Sequence, residues 1–231
     1  MRHSKAIWLS VALVAVFAGA VAAQSAKDGA PGDAGVVPLA AKDGGPRRWR
    51  VTAPTGATLH TRPDRAADAA AEAAPGAVLS NMGCDTHGSE VWCDVRPFRG
   101  GPRGYAERQA LAPAPGPDGA VPFGPNTSAT RAAKRAFDAE TQVACAQEAG
   151  QTLGQCAAGV ARADGGDATV AVTFPNGFRR MLYFLQGEFV SASTTMSGNG
   201  RVIDWLRFDG MFVIRVDDQR YEFPESLVYP H

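Results

Sequence analysis

The sequence predicts a mainly β protein with two small β-domains, preceded by a signal peptide and a flexible linker. Short runs of alternating apolar and polar residues recur along the chain, separated by glycine, proline and asparagine. One stretch, Ser128 to Phe137, is predicted as a helix with Ser128 as its N-cap. The predicted organisation is a signal peptide (1–23), a disordered linker (24–46), a first domain (47–112), a Pro/Gly linker (113–127) and a second domain (128–231).

The first 23 residues have the three parts of a secretory signal. A basic start is followed by an apolar run over 6–19 and then by small residues at Ala22 and Ala23. The run is short for a bilayer-spanning helix, and no basic stop-transfer flank follows it. We therefore expect cleavage near Ala22 or Ala23 and an exported chain, periplasmic or extracellular, without membrane contact. An uncleaved membrane anchor is the alternative.

The charge balance gives no sign of a nucleic-acid ligand. The chain has 23 Lys and Arg against 23 Asp and Glu, so its formal net charge is zero. Proteins that bind nucleic acids or anionic membrane surfaces carry an excess of basic residues on one face. We therefore expect neither as a partner.

Four cysteines follow the predicted signal, at Cys84, Cys93, Cys145 and Cys156. An exported chain enters an oxidising compartment, where two disulfides are expected. Three pairings are possible, and the local one is favoured because each local pair falls within one predicted domain. A zinc site is the alternative, although the spacings are not those of Cys-x2-Cys pairs and histidines are few. No metal or cofactor is expected.

The second domain has the clearest strand signals. Residues 168–174 alternate between apolar and polar side chains, and Pro175-Asn176-Gly177 predicts a hairpin turn into a return strand over 178–185. Residues 211–216 repeat the alternation. This regular spacing predicts an antiparallel sheet, closed into a barrel or packed as a sandwich.

The first domain contains an ordered series of short motifs. They are Trp49-Arg50-Val51-Thr52, Thr58-Leu59-His60-Thr61-Arg62-Pro63, Pro75-Gly76-Ala77-Val78-Leu79, Val91-Trp92-Cys93-Asp94-Val95, Gly104-Tyr105-Ala106 and Ala110-Leu111. In order and spacing this series resembles the bacterial SH3 domain family. The resemblance implies a small SH3-like β-barrel used for binding or targeting, often toward peptidoglycan or a peptide. The part after the second linker resembles an uncharacterised module found beside such domains.

Two departures from the family pattern affect the ligand-facing loop. Pro63-Asp64-Arg65 replaces the usual glycine and proline, and an alanine-rich insert over 66–74 is expected to lengthen the next loop. A Cys84–Cys93 bond would join two adjacent strands of the barrel. Closing so short a ring stabilises the folded chain by about 2–3 kcal/mol.

The candidate ligand-binding residues are Trp49, Arg62, Trp92 and Tyr105. Aromatic faces near a cation suit sugars and peptides, which they bind by stacking and by directed hydrogen bonds. The alternative is that Trp92 and Tyr105 belong to the barrel core.

The residue inventory gives no catalytic constellation, so we expect no enzyme activity. The cysteines are expected to be paired, histidine is scarce in the second domain, and no Gly-x-Ser-x-Gly elbow is present. A glycosidase with two carboxylates is not excluded by counting. However, the acidic residues that it would use are expected to be solvated turn residues, namely Asp164, Asp167, Asp209, Asp217 and Asp218.

The sequence thus favours a non-catalytic protein that binds peptidoglycan, or an envelope protein or peptide. One alternative is a cell-wall hydrolase or its accessory factor. Another is an inhibitor or chaperone-like partner of a periplasmic enzyme, acting through a loop stiffened by Cys145 and Cys156.

Overall fold

A computed structural model describes residues 37–194 and 202–229. The predicted signal peptide and the first part of the predicted linker, 1–36, lie outside the described residues. Within them, the chain folds into two antiparallel β-sheets and one short α-helix, which confirms the mainly β prediction. None of the described helices is long and apolar enough to cross a bilayer.

The first seven strands form the N-terminal sheet, in the order β3-β2-β6-β5-β4-β1-β7. They are β1 (Arg48–Val51), β2 (Ala57–His60), β3 (Ala69–Ala73), β4 (Val78–His87), β5 (Glu90–Pro97), β6 (Gly104–Glu107) and β7 (Leu111–Pro113). Short 3₁₀ helices at Ala41–Asp43 and Arg108–Ala110 flank β1 and β7 in sequence.

The interior of the N-terminal sheet is a cluster of apolar side chains contributed by alternate strand positions. It includes Trp49, Val51, Leu59, Leu79, Cys93, Val95, Ala106 and Leu111. Cys84 and Cys93 face each other across β4 and β5 and form the predicted disulfide.

The alanine-rich insert is not the loop that the sequence predicts. Residues 69–73 form β3, which pairs with β2 so that Ala71 lies opposite Leu59. Alanine has a low strand propensity, but backbone pairing with the edge of β2 outweighs that local preference. The prediction for 66–74 is therefore wrong over these five residues.

The remaining eight strands form the C-terminal barrel. They are β8 (Ala139–Ala146), β9 (Gly154–Ala163), β10 (Asp167–Thr173), β11 (Arg179–Leu185), β12 (Glu188–Ala192), β13 (Ile203–Phe208), β14 (Met211–Val216) and β15 (Gln219–Pro224). A third 3₁₀ helix, Glu225–Leu227, follows β15.

The eight strands run as a meander in which β15 returns to pair with β8. The two edge strands, β12 and β13, approach each other through Phe189 and Trp205, whose ring centroids are 6.4 Å apart. The sheet is therefore a nearly closed barrel, with its seam between β12 and β13.

The predicted β10–β11 hairpin is confirmed. Val170, Val172 and Phe174 are buried on one face. The turn is closed by the Phe174 N–H, which donates to the Phe178 carbonyl over 2.8 Å. Gly177 has a φ of 85°, a left-handed conformation that glycine adopts without steric cost. The Cys145–Cys156 disulfide joins β8 and β9, as the local pairing predicts.

The α-helix α1 (Ser128–Ala133) is shorter than predicted, and its N-cap is Thr127. The prediction of Ser128 as N-cap is wrong, because its hydroxyl contacts that of Thr169 on β10 at 3.0 Å instead. The helix stops before Arg135, which has a φ of 58°.

The two sheets contact each other through a buried ion pair. Arg47 and Arg48 both reach Asp167, at 2.9 and 2.7 Å. The prediction of Asp167 as a solvated turn residue is therefore wrong. Residues 113–127 pack at the same junction, where Gly116 lies against the backbone of Gly165 so closely that a Cβ would not fit. From Val37 onward, the described residues form one compact unit.

Candidate functional site

The outer face of β2, β6 and β5 brings several polar and aromatic side chains together. His60 lies directly opposite Tyr105, and Trp92 lies directly opposite Glu107. Residues opposite each other in an antiparallel pair project to the same side, as do residues two apart on a strand. Cys93 and its neighbours in the interior cluster face the other way. These four side chains therefore share the outward side of the sheet, which we call the β2–β6–β5 face.

Trp92 is buried even though it projects from the outward side. Its exposed fraction is 2%, and it is not part of the interior cluster. The ring of His60 meets the indole edge-on, with centroids 5.5 Å apart. The segment 61–68, which connects β2 and β3, also contributes a buried residue, Ala67. We therefore attribute the burial of Trp92 to this loop and to His60.

The 61–68 loop is fastened to the face by polar contacts. The His60 Nδ1 is 2.9 Å from the Ala67 carbonyl, and because a carbonyl only accepts, Nδ1 carries the proton. Arg65 donates to both carboxylate oxygens of Glu107, at 2.6 and 2.8 Å, and also reaches Glu90 at 2.8 Å. One arginine thus joins the loop to both β5 and β6.

A groove of about 360 Å³ opens beside these residues. Small side chains form one part of its lining, which consists of Ala53, Gly56, Ala57 and Ala110. Polar side chains form the other part, which consists of Thr58, His60, Glu107 and Gln109. The groove therefore combines room for close backbone approach with hydrogen-bond donors and acceptors.

The Arg65 guanidinium controls the charge of this region. Its hydrogen bond lowers the pKa of the Glu107 carboxyl, against the opposing effect of partial burial. The same contact raises the pKa of Arg65. Glu107 is therefore ionised at neutral pH and already paired with a cation, which leaves the groove polar without a strong net charge.

Of the predicted ligand-binding residues, Trp92 and Tyr105 lie on the β2–β6–β5 face, whereas Trp49 lies on the interior side of the sheet. Tyr105 is half-buried on the β2–β6–β5 face, and Arg62 is exposed on the 61–68 loop. Trp49 lies in the interior with 1% of its surface exposed, and the Arg108 guanidinium lies 4.7 Å from its ring centroid. Trp49 and Trp92 therefore offer no open ring face to a ligand in this conformation.

Two residues of the face, His60 and Glu107, were not among the predicted site residues. Alternation along β2 places His60 on the opposite side from the buried Leu59. That pattern was available in the sequence. The role of Glu107 depends on Arg65, which is 42 residues away in sequence, and no local pattern reveals it.

The carboxylates considered for hydrolysis are dispersed. Asp164, Asp209 and Asp218 lie in turns, as predicted, whereas Asp167 is in the buried ion pair. Asp217 lies in a turn and pairs with Arg180 at 3.3 Å. Within the described ranges, no three His, Cys, Asp or Glu residues are arranged to hold a metal ion.

Comparison with known proteins found no matching family model, no similar curated protein and no similar solved structure. A functional assignment therefore depends on the geometry of this face and on the sequence resemblance.

Proposed function

We propose that this chain is an exported, non-catalytic binding protein of the bacterial cell envelope, whose SH3-like N-terminal barrel binds peptidoglycan through its peptide part. The observation that carries the proposal is the β2–β6–β5 face, where His60 and Glu107 line an open groove and Tyr105 lies directly opposite His60.

The groove has the chemistry that an extended peptide requires. Its small residues let a peptide backbone approach, and the side chains of Thr58, His60 and Gln109 supply hydrogen-bonding groups. Tyr105, next to His60, supplies a half-exposed ring with a polar end. Binding sites of this kind need few charged groups, because hydrogen bonds set orientation while ring contacts contribute affinity.

The charge state of Glu107 favours binding over hydrolysis. A glycosidase needs a general acid whose pKa is raised, so that the carboxyl remains protonated near neutral pH. Arg65 lowers the pKa of Glu107 instead, and it holds Glu90 as well. The carboxylates of Glu107 and Glu90 therefore hold the 61–68 loop to the face.

The two disulfides fit an oxidising compartment. Together with the predicted signal peptide, they support a location in the periplasm or outside the cell.

The proposal is tested by sedimentation with insoluble peptidoglycan. Wild-type protein should sediment with the polymer, and Tyr105→Ala should bind about tenfold more weakly, the equivalent of about 1.4 kcal/mol. Tyr183→Ala removes a half-buried tyrosine from the C-terminal barrel and serves as the matched control. Wild-type protein that stays in the supernatant would remove peptidoglycan as the ligand, and release of labelled fragments would contradict the non-catalytic assignment.

A further inference from the structure

The strand β13 is left at an open edge of the C-terminal sheet. The ring contact between Phe189 and Trp205 bridges the seam, but among the described residues no strand pairing joins β12 to β13. An edge strand presents backbone N–H and C=O groups that can hydrogen-bond to a further strand. The edge of β13 is therefore a place where another chain can add a strand to the sheet.

The backbone groups on this free edge follow from the β13–β14 hairpin. The Asp217 N–H donates to the Val202 carbonyl over 2.8 Å, so the backbone groups of Val202 face β14. Backbone groups along an antiparallel strand face alternate sides, so every second residue after Val202 also faces β14. The free edge consequently belongs to the residues between them, which are Ile203, Trp205 and Arg207.

Apolar side chains are exposed on both sides of β13. On the outer side, Leu206 and Phe208 are exposed, and Val213 and Met211 opposite them on β14 are only half-buried. Ile203 projects to the interior side, yet 37% of its surface is exposed. Contiguous apolar surface at a free strand edge is typical of a protein–protein contact, because both features are otherwise unfavourable in water.

Pairing of β13 with its own copy has few possible registers. A two-fold interface is self-complementary, so the axis passes through the same residue of both antiparallel strands. An axis at Asp204 or Arg207 would place like charges directly opposite each other, which is destabilising. An axis at Leu206 would place Ile203 opposite Asp209, whose φ of 49° lies outside the strand region. These three axes are therefore unfavourable.

An axis at Trp205 satisfies the whole free edge. Trp205 then lies opposite its own copy, and Ile203 lies opposite Arg207 of the second copy, so all three residues exchange both backbone hydrogen bonds. On the outer side Val202 lies opposite Phe208, and these apolar residues are 54% and 74% exposed. The strand has one acidic and one basic residue, so two copies carry no net charge that would repel them.

We propose that this chain dimerises through β13, which pairs antiparallel with β13 of a second copy about a two-fold axis at Trp205. The two C-terminal sheets then continue into each other, and the exposed apolar side chains of each β13 pack against those of the other. This dimer goes beyond the binding proposed for the N-terminal sheet and does not depend on its ligand.

Sedimentation equilibrium of the purified protein, without added ligand, tests the dimer, and two substitutions at Leu206 test its register. In the proposed pairing Leu206 lies opposite Asp204 of the second copy. Leu206→Asp places two carboxylates opposite each other at two points of the dimer and should raise the dissociation constant at least about tenfold. Leu206→Lys loses the same apolar side chain but places an ammonium group opposite Asp204. Its dissociation constant should be at least about tenfold lower than that of Leu206→Asp.

The position of Leu206 keeps this comparison free of folding effects. Its side chain is on the outer side of the sheet and exposed, and circular dichroism checks the fold of both variants. Met82→Asp adds the same charge at an exposed apolar residue of β4 and should leave the dimer unchanged.

Two results would overturn the proposal. Wild-type protein that remains a monomer up to about 1 mM would leave the edge of β13 to a strand from a different protein. Equal weakening by Leu206→Asp and Leu206→Lys would show that the copies associate without the register centred on Trp205. Neither result bears on ligand binding by the β2–β6–β5 face, because no ligand is present in the experiment.

Discussion

Arg48 and Asp167 form a buried ion pair that joins the two β-sheets, with Nη2 of the arginine 2.7 Å from Oδ1 of the carboxylate. Their side chains are 4% and 1% exposed. Arg47 binds the other carboxylate oxygen at 2.9 Å. The single negative charge of Asp167 therefore offsets one of the two positive charges of Arg47 and Arg48. A buried charge is tolerated only while its partner is present.

Replacing Asp167 with alanine should therefore be strongly destabilising. Arg48 would remain buried without a counter-ion, and we expect a loss of about 3–5 kcal/mol in the free energy of unfolding, measured by urea denaturation. Asp85→Ala, at an exposed strand position, should change this free energy by less than about 0.5 kcal/mol. Equal effects of the two substitutions would show that the ion pair does not hold the sheets together.

Gly116 allows the segment before α1 to pack against the β9–β10 turn. A Cβ at this position would lie 2.2 Å from the Gly165 carbonyl carbon, so the backbone would have to move. Gly116→Ala should cost about 1–3 kcal/mol in urea denaturation. Gly154→Ala is the control, since an added Cβ there would lie 4.0 Å from the Cys145 carbonyl oxygen, an ordinary contact distance. A comparable loss of stability in this variant would refute the steric explanation.

The second disulfide closes a short ring in the C-terminal barrel. Its cysteines are 11 residues apart, so removing the cross-link in the Cys145→Ala/Cys156→Ala double variant should lower the free energy of unfolding by about 2–3 kcal/mol. The measurement compares thermal and urea unfolding of the two proteins. If a reducing agent left the free energy of unfolding of the wild-type protein unchanged, the disulfide would not stabilise the barrel as proposed.

Asp138 should make folding sensitive to acid. A hydrogen bond from Arg131 lowers the pKa of its carboxyl, assisted by one from the Arg162 backbone N–H. A carboxyl whose pKa is lowered on folding stabilises the protein above its unfolded pKa of about 3.9, and this stabilisation disappears as the pH falls through the folded pKa.

The stability advantage of wild type over Asp138→Asn should therefore be constant near neutral pH and shrink below about pH 4. Urea denaturation across the acid range measures it. When Arg131 is also replaced by Gln, the stability difference that Asp138→Asn causes should change less at low pH. The reason is that the Arg131 hydrogen bond is the largest cause of the lowered pKa of Asp138. A difference that does not depend on pH would contradict the assignment.

Local patterns were sufficient for much of the fold. The hairpin around Asn176-Gly177 follows from alternation on both sides of a turn sequence. Both disulfides follow from pairs of nearby cysteines in a chain expected to be exported. In each case the residues that determine the structure are neighbours in sequence.

Features that depend on distant residues were not predictable. Asp167 follows two glycines and has the local pattern of a turn residue, but Arg48, 119 positions earlier, draws it into the junction. The β3 strand forms from alanines because the edge of β2 offers them backbone partners. On the candidate face, alternation could have revealed His60, whereas the burial of Trp92 beside the 61–68 loop could not be seen without the fold.

Peptide binding at the β2–β6–β5 face is tested most directly by an NMR titration of the isotope-labelled protein with a soluble stem peptide of peptidoglycan. We expect saturable shifts of the backbone amides of His60, Tyr105 and Glu107, with the amide of Tyr183 unaffected. Absence of shifts, or shifts confined to residues outside the β2–β6–β5 face, would contradict the assignment of this face as the peptide-binding site.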